Sequence, residues 1–251
     1  MVLTGVNSKA LRKGDAEIPL ESGKFRVYNM RFCPWAERAM IYVSVKGINA
    51  EVVNLNVTDK PDWYWPKHYQ GKAPAIEHDG KIVIESAYIP EYLDDAFPEN
   101  RILPTDPYEK VKQKLLAQRL TAVAMSVPSL FAVMRDKSLK IEKNQKVIET
   151  LEMAESLLAH SDFYAGNAPG YPDFLTFPFF EKMWWATRIE GITDLPEVGF
   201  PGVEKFPKLT KWFDHMINLE AIQRVTQSIE HGSSFMNAYA THSSLNYDLG
   251  L

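Results

Sequence analysis

The chain has 251 residues, 45% of them hydrophobic, with 28 basic and 32 acidic side chains and a formal net charge of −4 at pH 7. That composition excludes a largely disordered chain, and mild acidity without basic blocks argues against nucleic acid as a partner. The most apolar stretch, Phe174 to Trp185, is interrupted by Pro178, Glu181 and Lys182 and falls short of the ~20 residues of a membrane helix, so no membrane association is expected.

In chain order, residues 1–23 read as an irregular extension, broken by Gly5, Gly14, Pro19 and Gly23. Their charges and lack of an apolar run are unlike a secretory signal. Lys24 to Met30 alternates as a strand does. Arg31-Phe32-Cys33 forms the turn, Pro34 suits the first turn of a helix, and that helix runs to about Lys46 with Gly47 as its stop. Ile48 to Asn56 is a second strand, which gives a βαβ unit with a parallel pair. A loop rich in Trp and Pro follows, then a strand from Ala73 to Glu77, the hairpin dipeptide Asp79-Gly80, and an antiparallel return from Lys81 to Glu85. Ser86 is expected to cap a helix reaching Ala96, with Pro90 early in it.

Past the linker at Pro98 to Pro104 the strand signals vanish. Asp106-Pro107-Tyr108-Glu109 predicts a capped helix start, and a long helix follows with a bend at Pro128. Further helices are expected at about 140–159, 173–189, 207–219 and 219–230, with a short one near 234–240. The order is β-α-β, a loop, then β-β-α, a small α/β unit with a mixed sheet, followed by helices alone. The boundaries are 1–23 for the extension, 24–99 for the first domain and 106–251 for the second.

Cys33 is the single cysteine, so an intramolecular disulfide is impossible, which suits a reducing, cytoplasmic compartment. A lone cysteine is often a small buried hydrophobe. This one sits at the N-terminal edge of a predicted helix, where unsatisfied N–H groups and a partial positive charge favour a thiolate. Arg31 adds to the field. The motif reads Cys33-Pro34-Trp35-Ala36 without a resolving cysteine, so a mixed disulfide formed here needs an external thiol, and glutathione is the abundant candidate.

These residues resemble the omega class of glutathione transferases. The resemblance runs through Met30 to Arg38, Asn56 to Trp63, Lys72-Ala73-Pro74, Ile84-Glu85-Ser86, Glu91 to Asp94, Leu103 to Lys110 and Pro207-Lys208-Leu209. It implies that Cys33 forms a mixed disulfide with glutathione. It also implies that Ala73 pairs with the peptide through its backbone beside a cis Pro74, that Glu85 and Ser86 hold the γ-glutamyl end, and that Lys60 approaches the glycyl carboxylate. It places Lys182 in the acceptor pocket and Asp173 in a helix-start box whose usual Ser or Thr is here Gly170. It implies the fold class of an α/β thioredoxin-like domain (βαβαββα) followed by an all-α domain, glutathione as co-substrate, a homodimer, and reduction of dehydroascorbate, methylated pentavalent arsenic acids or protein mixed disulfides.

Alternatives stay open at this point. Tyr28, on the first strand, could activate the thiol of glutathione for conjugation to electrophiles. A chloride-channel-like protein or a glutathione-fold binding module without turnover would share the architecture. The six histidines show no paired ligand spacing, so no metal is expected.

Overall fold

A computed structural model of the protein describes residues 3–158 and 160–251. They form two compact units. The first holds the chain up to Ile102 together with Glu220–Gln227 and Asn246–Leu251; the second holds Leu103–Leu219 and Ser228–Leu245. A linear division near residue 100 therefore misses two short segments that cluster with the first unit.

The first unit is built on strands β1 (Leu3–Thr4), β2 (Phe25–Asn29), β3 (Ala50–Asn54), β4 (Ala75–His78) and β5 (Lys81–Ile84), in the order β1-β3-β2-β4-β5. β2 runs parallel to β3 and antiparallel to β4, which pairs antiparallel with β5. β2 is buried along its whole length, as befits a central strand. Helix α1 (Pro34–Val45) starts with Pro34 and ends at Gly47, whose φ of +70° lets the chain reverse while its N–H and that of Ile48 bond the last carbonyls of the helix. Between β3 and β4 the expected loop contains a 3-10 turn, Asp62–Lys67, in the place of the middle helix of the expected order.

Two expectations for this unit need correction. The extension is not wholly irregular, because β1 pairs parallel with β3. Its later residues are tied to the sheet by the Arg26 guanidinium. That group donates to the carbonyls of Ile18 (2.6 Å) and Pro19 (3.2 Å) and pairs with Glu51 at 2.7 Å. Ser86 is not a helix cap: helix α2 spans Ile89–Ala96 with Tyr88 as its N-cap. A helix opened at Ser86 would demand an N–H from Pro90, which has none. The chain instead turns at Glu85 (φ +72°), whose carbonyl accepts from Tyr88 and Ile89.

The second unit contains α3 (Pro107–Arg135), α4 (Lys140–Leu157), α5 (Tyr171–Ala186), α6 (Pro207–Ile217) and α8 (Ile229–Ala240); the single turn α7 (Glu220–Gln223) belongs to the first unit. The Asp106 carboxylate caps α3 by accepting from the Glu109 N–H at 2.9 Å. α3 continues through Pro128 and is long and apolar enough, by length and composition alone, to cross a membrane. Its buried face, including Leu120, Val123, Val127 and Leu130, packs in the core against α4 and α5. α4 ends at Leu157; the expected end at Ala159 lies outside the described residues. The single helix expected over 219–230 is broken, because Ser228 accepts from the His231 N–H at 3.2 Å and opens α8. Gly232 lets α8 lie directly on the Trp185 indole, where an added Cβ would come within 2.2 Å.

Candidate active site

The sheet register gathers the expected site. Cys33 follows the carboxyl end of β2 and is the N-cap residue of α1, with extended backbone (φ −87°, ψ 119°) and a half-buried side chain. The N-cap position neighbours the first N–H groups of a helix, which have no acceptor within it. In β4 and β5, Ala75 pairs with both Tyr28 and Ile84. Continuing those antiparallel registers sets Ala73-Pro74 beside the end of β2 and Glu85-Ser86 beside Ala73-Pro74. The Ala73-Pro74 bond is cis. Leu55 N–H bonds the Asn29 carbonyl at 2.8 Å, so the loop carrying Lys60 leaves β3 at this same end. Six of the residues expected from the sequence, Cys33, Lys60, Ala73, Pro74, Glu85 and Ser86, thus come from one end of one sheet, the usual place for ligands in such sheets.

Their surroundings differ. Glu85 is exposed and Ser86 buried. The Lys60 ammonium lies over the Trp65 ring, 4.6 Å from its centroid, and its stem packs where a Cβ on Gly71 would otherwise fall. His68 is buried near Glu85 and Lys72. Burial lowers its pKa, which the Glu85 charge partly opposes. No spacing in the sequence marks His68; the pairing that brings it here is tertiary.

Tyr28 does not reach a substrate thiol. Its side chain is fully buried against Trp63 and Tyr64, and its hydroxyl donates to Glu77 Oε2 at 2.6 Å. Lys67 bonds the same carboxylate at 2.9 Å and also Glu17. Burial and the Glu77 bond raise the phenol pKa, so the conjugation route through Tyr28 is withdrawn.

Lys182 is buried within the second unit. Its ammonium bonds Glu181 and sits 3.6 Å from the centroid of the Trp185 ring. A side chain committed in this way gives no support to an acceptor-pocket role. Asp173 supplies one half of the helix-start box, accepting from the Gly170 N–H at 2.9 Å and also from Tyr164, Ala165 and the Trp212 indole. The other half is missing because Gly170 has no side chain. A Cβ there would approach that of Ala165 to 2.6 Å, which accounts for glycine in place of Ser or Thr. Among the described residues no group of three or more His, Cys, Asp or Glu side chains is arranged to hold a metal ion.

Comparison with known proteins agrees with this geometry. A family model of the glutathione S-transferase N-terminal domain matches residues 27–101, and one of the C-terminal domain matches residues 120–220. The chain is 73% identical over 251 residues to glutathione transferase omega-1 of Caenorhabditis elegans, covering 100% of both chains. It is 32% identical over 255 residues to glutathione S-transferase omega-2 of Mus musculus, covering 99% of this chain and 98% of the relative. Glutathione transferase Omega 1C of Trametes versicolor shares the fold at a TM-score of 0.70 and 20% identity, over 86% of this chain and 96% of that one. Rice GST1, solved in complex with glutathione, does so at 0.73 and 22%, over 87% and 99%. A Cys-Pro turn at the head of α1, a two-unit fold and full-length identity of this order lead to one conclusion: the chain belongs to the omega class of the glutathione transferases, enzymes that use glutathione as co-substrate.

Proposed function

We propose that the enzyme is a glutathione-dependent thiol transferase and reductase with Cys33 as its nucleophile. The observation that supports this most is the position of Cys33 as N-cap residue of α1, since a helix N-terminus stabilises a thiolate. The Cys33 thiolate attacks the glutathionyl sulfur of a mixed disulfide. The S–S bond breaks, the substrate leaves as thiolate, and Cys33 is left bonded to glutathione. A second glutathione thiolate attacks the glutathionyl sulfur of that disulfide, releasing oxidised glutathione and regenerating Cys33. Dehydroascorbate, methylated pentavalent arsenic acids and protein mixed disulfides are the acceptors we propose; two glutathione molecules are oxidised to the disulfide per two-electron reduction of either of the first two, and one free glutathione per mixed disulfide, whose glutathionyl group supplies the other half of the oxidised glutathione.

In this reading Ala73 and Pro74 offer backbone to the glutathione peptide. Ser86 and Glu85 bind the γ-glutamyl carboxylate and ammonium, and Lys60 faces the glycyl carboxylate. The lone cysteine supports a cytoplasmic setting. Tyr108, Val111, Leu115 and Met125 are exposed on α3 at helical spacing, and we assign this stripe to contact with a second copy of the chain.

The experiment is intact-protein mass combined with kinetics. Incubation with oxidised glutathione should add one glutathionyl group, and reduced glutathione should remove it. Cys33→Ala should abolish thiol transfer. Glu85→Ala and Ser86→Ala should raise the glutathione KM, since a hydrogen bond to a charged group is worth ~1.5–3 kcal/mol. The native mass should be that of a dimer. Full disulfide-reducing activity in Cys33→Ala would overturn the assignment.

A further inference from the structure

Arg31 lies two residues before Cys33, in the turn between β2 and α1, and its side chain is buried. It does not bond a carboxylate. Its Nη2 donates to Gln227 Oε1 at 2.7 Å, and its Nη1 donates to the carbonyls of Leu249 at 3.1 Å and Tyr247 at 3.5 Å. The charge that acts on it is Asp248, whose Oδ1 instead accepts from the Ala10 N–H at 2.7 Å. The Tyr247 hydroxyl donates to Thr58 Oγ1 at 3.3 Å. Residues 246–251 are therefore held by the extension and the loop after β3 on one side and by Arg31 on the other. This accounts for their membership, with residues 220–227, in the first unit.

Within the turn the Cys33 N–H bonds the Met30 carbonyl at 3.0 Å, and the Phe32 N–H donates to Met30 Sδ at 3.2 Å. A planar guanidinium bridging acceptors from two distant segments restrains the backbone that carries it. We infer that Arg31 is a positioning residue for the Cys33 thiol. Through Gln227 and residues 246–251 it fixes the turn so that the sulfur stays at the head of α1. This rests on Cys33 being the reacting thiol. Lysine would keep the charge but lose the fork that reaches all three acceptors.

Because there is only one cysteine, alkylation by iodoacetamide reports this thiol alone. For Arg31→Lys, the pH midpoint of the alkylation rate should rise by about one unit as the thiol loses its helix N-terminus. In the same variant kcat for mixed-disulfide reduction should fall by roughly tenfold, with the glutathione KM held within about twofold. Gln227→Ala and a chain ending at Leu245 should shift the midpoint the same way by less. An unchanged midpoint and kcat in a folded Arg31→Lys would overturn the proposal. If that variant does not fold, an unchanged midpoint in the other two overturns it. Were Cys33→Ala to keep full activity, the reading of the reaction would fail, while the alkylation profile would still decide whether Arg31 sets the thiol.

Discussion

Each unit buries a carboxylate at its centre, and the two are stabilised by opposite means. In the first unit Asp94 faces a cation: it pairs with the buried Lys46 ammonium at 2.9 Å and also accepts from the Tyr42 hydroxyl and the Ile102 N–H. In the second, Asp173 is bonded by neutral donors, three backbone N–H groups and the Trp212 indole. The first arrangement joins two helices through side chains that could be exchanged together, and holds the chain leaving them through the single backbone N–H of Ile102. The second ties the loop before α5, the start of α5 and α6 through four donors, three of which are backbone N–H groups that substitution cannot remove. An ion pair can be redesigned as an apolar contact, whereas backbone N–H groups need an acceptor whatever the side chains are.

The largest effect is expected at Asp173. Asp173→Ala strands four donors, three of them buried and each of those costing ~1–3 kcal/mol, and should leave the second unit unfolded at ambient temperature or lower its melting temperature by tens of degrees. Asp173→Asn should recover only part. Circular dichroism melts check both, and a near-native melt of the alanine variant would show that other groups satisfy those donors.

At the ion pair, Asp94→Ala leaves a buried ammonium and should cost ~3–5 kcal/mol. The double variant Asp94→Leu with Lys46→Met should regain most of that loss. Denaturant unfolding of the two single variants and the double gives the coupling directly. A double variant no better than Asp94→Ala would mean that this site, like Asp173, is irreplaceable, and the contrast would collapse.

The smallest effect is the pH response. Burial raises the Asp173 carboxyl despite its four donors. The folded chain then holds that proton more tightly than the unfolded chain, so its contribution to stability is full below the ordinary value of 3.8 and is lost as pH rises through the higher folded value. Glu77 in the first unit behaves oppositely. Burial would raise its pKa, but the Tyr28 hydroxyl and Lys67 ammonium hold it below 4.5. Its contribution is present above 4.5 and is lost as pH falls through the lower folded value. Hydrogen exchange followed on acidification from pH 5 should show β2 and β4 losing protection relative to the start of α5. Equal loss in both units would contradict the opposed signs.

What was legible in the sequence was mostly local. A proline after Cys33 and a glycine after Lys46 frame α1, and Asp79-Gly80 fixes the hairpin that aligns Glu85 and Ser86 with Ala73. The failures are also physical. Serine before a helix suggested a cap at Ser86, but Pro90 two residues into α2 forces a later start. The sequence pattern reads as one helix over 219–230, yet the Ser228 hydroxyl makes opening a new helix favourable. Bonds across more than 190 residues, such as those of Arg31 to Gln227 and Leu249, leave no periodicity to read. His68 was missed for the same reason.

The short strand at the head of the chain has a consequence for self-association. β3 would be an outer strand without it, with open N–H and C=O groups able to template pairing with another molecule. β1 covers Ala50 and Glu51, Leu11 bridges Leu55, and the Asn54 amide collects the carbonyls of Gly5, Val6 and Ser8. That leaves β5 as the outer strand on the other side, four residues long and opened by Lys81, features that blunt an edge. The extension thus guards the sheet against aggregation by strand addition, a role separate from any chemistry at Cys33.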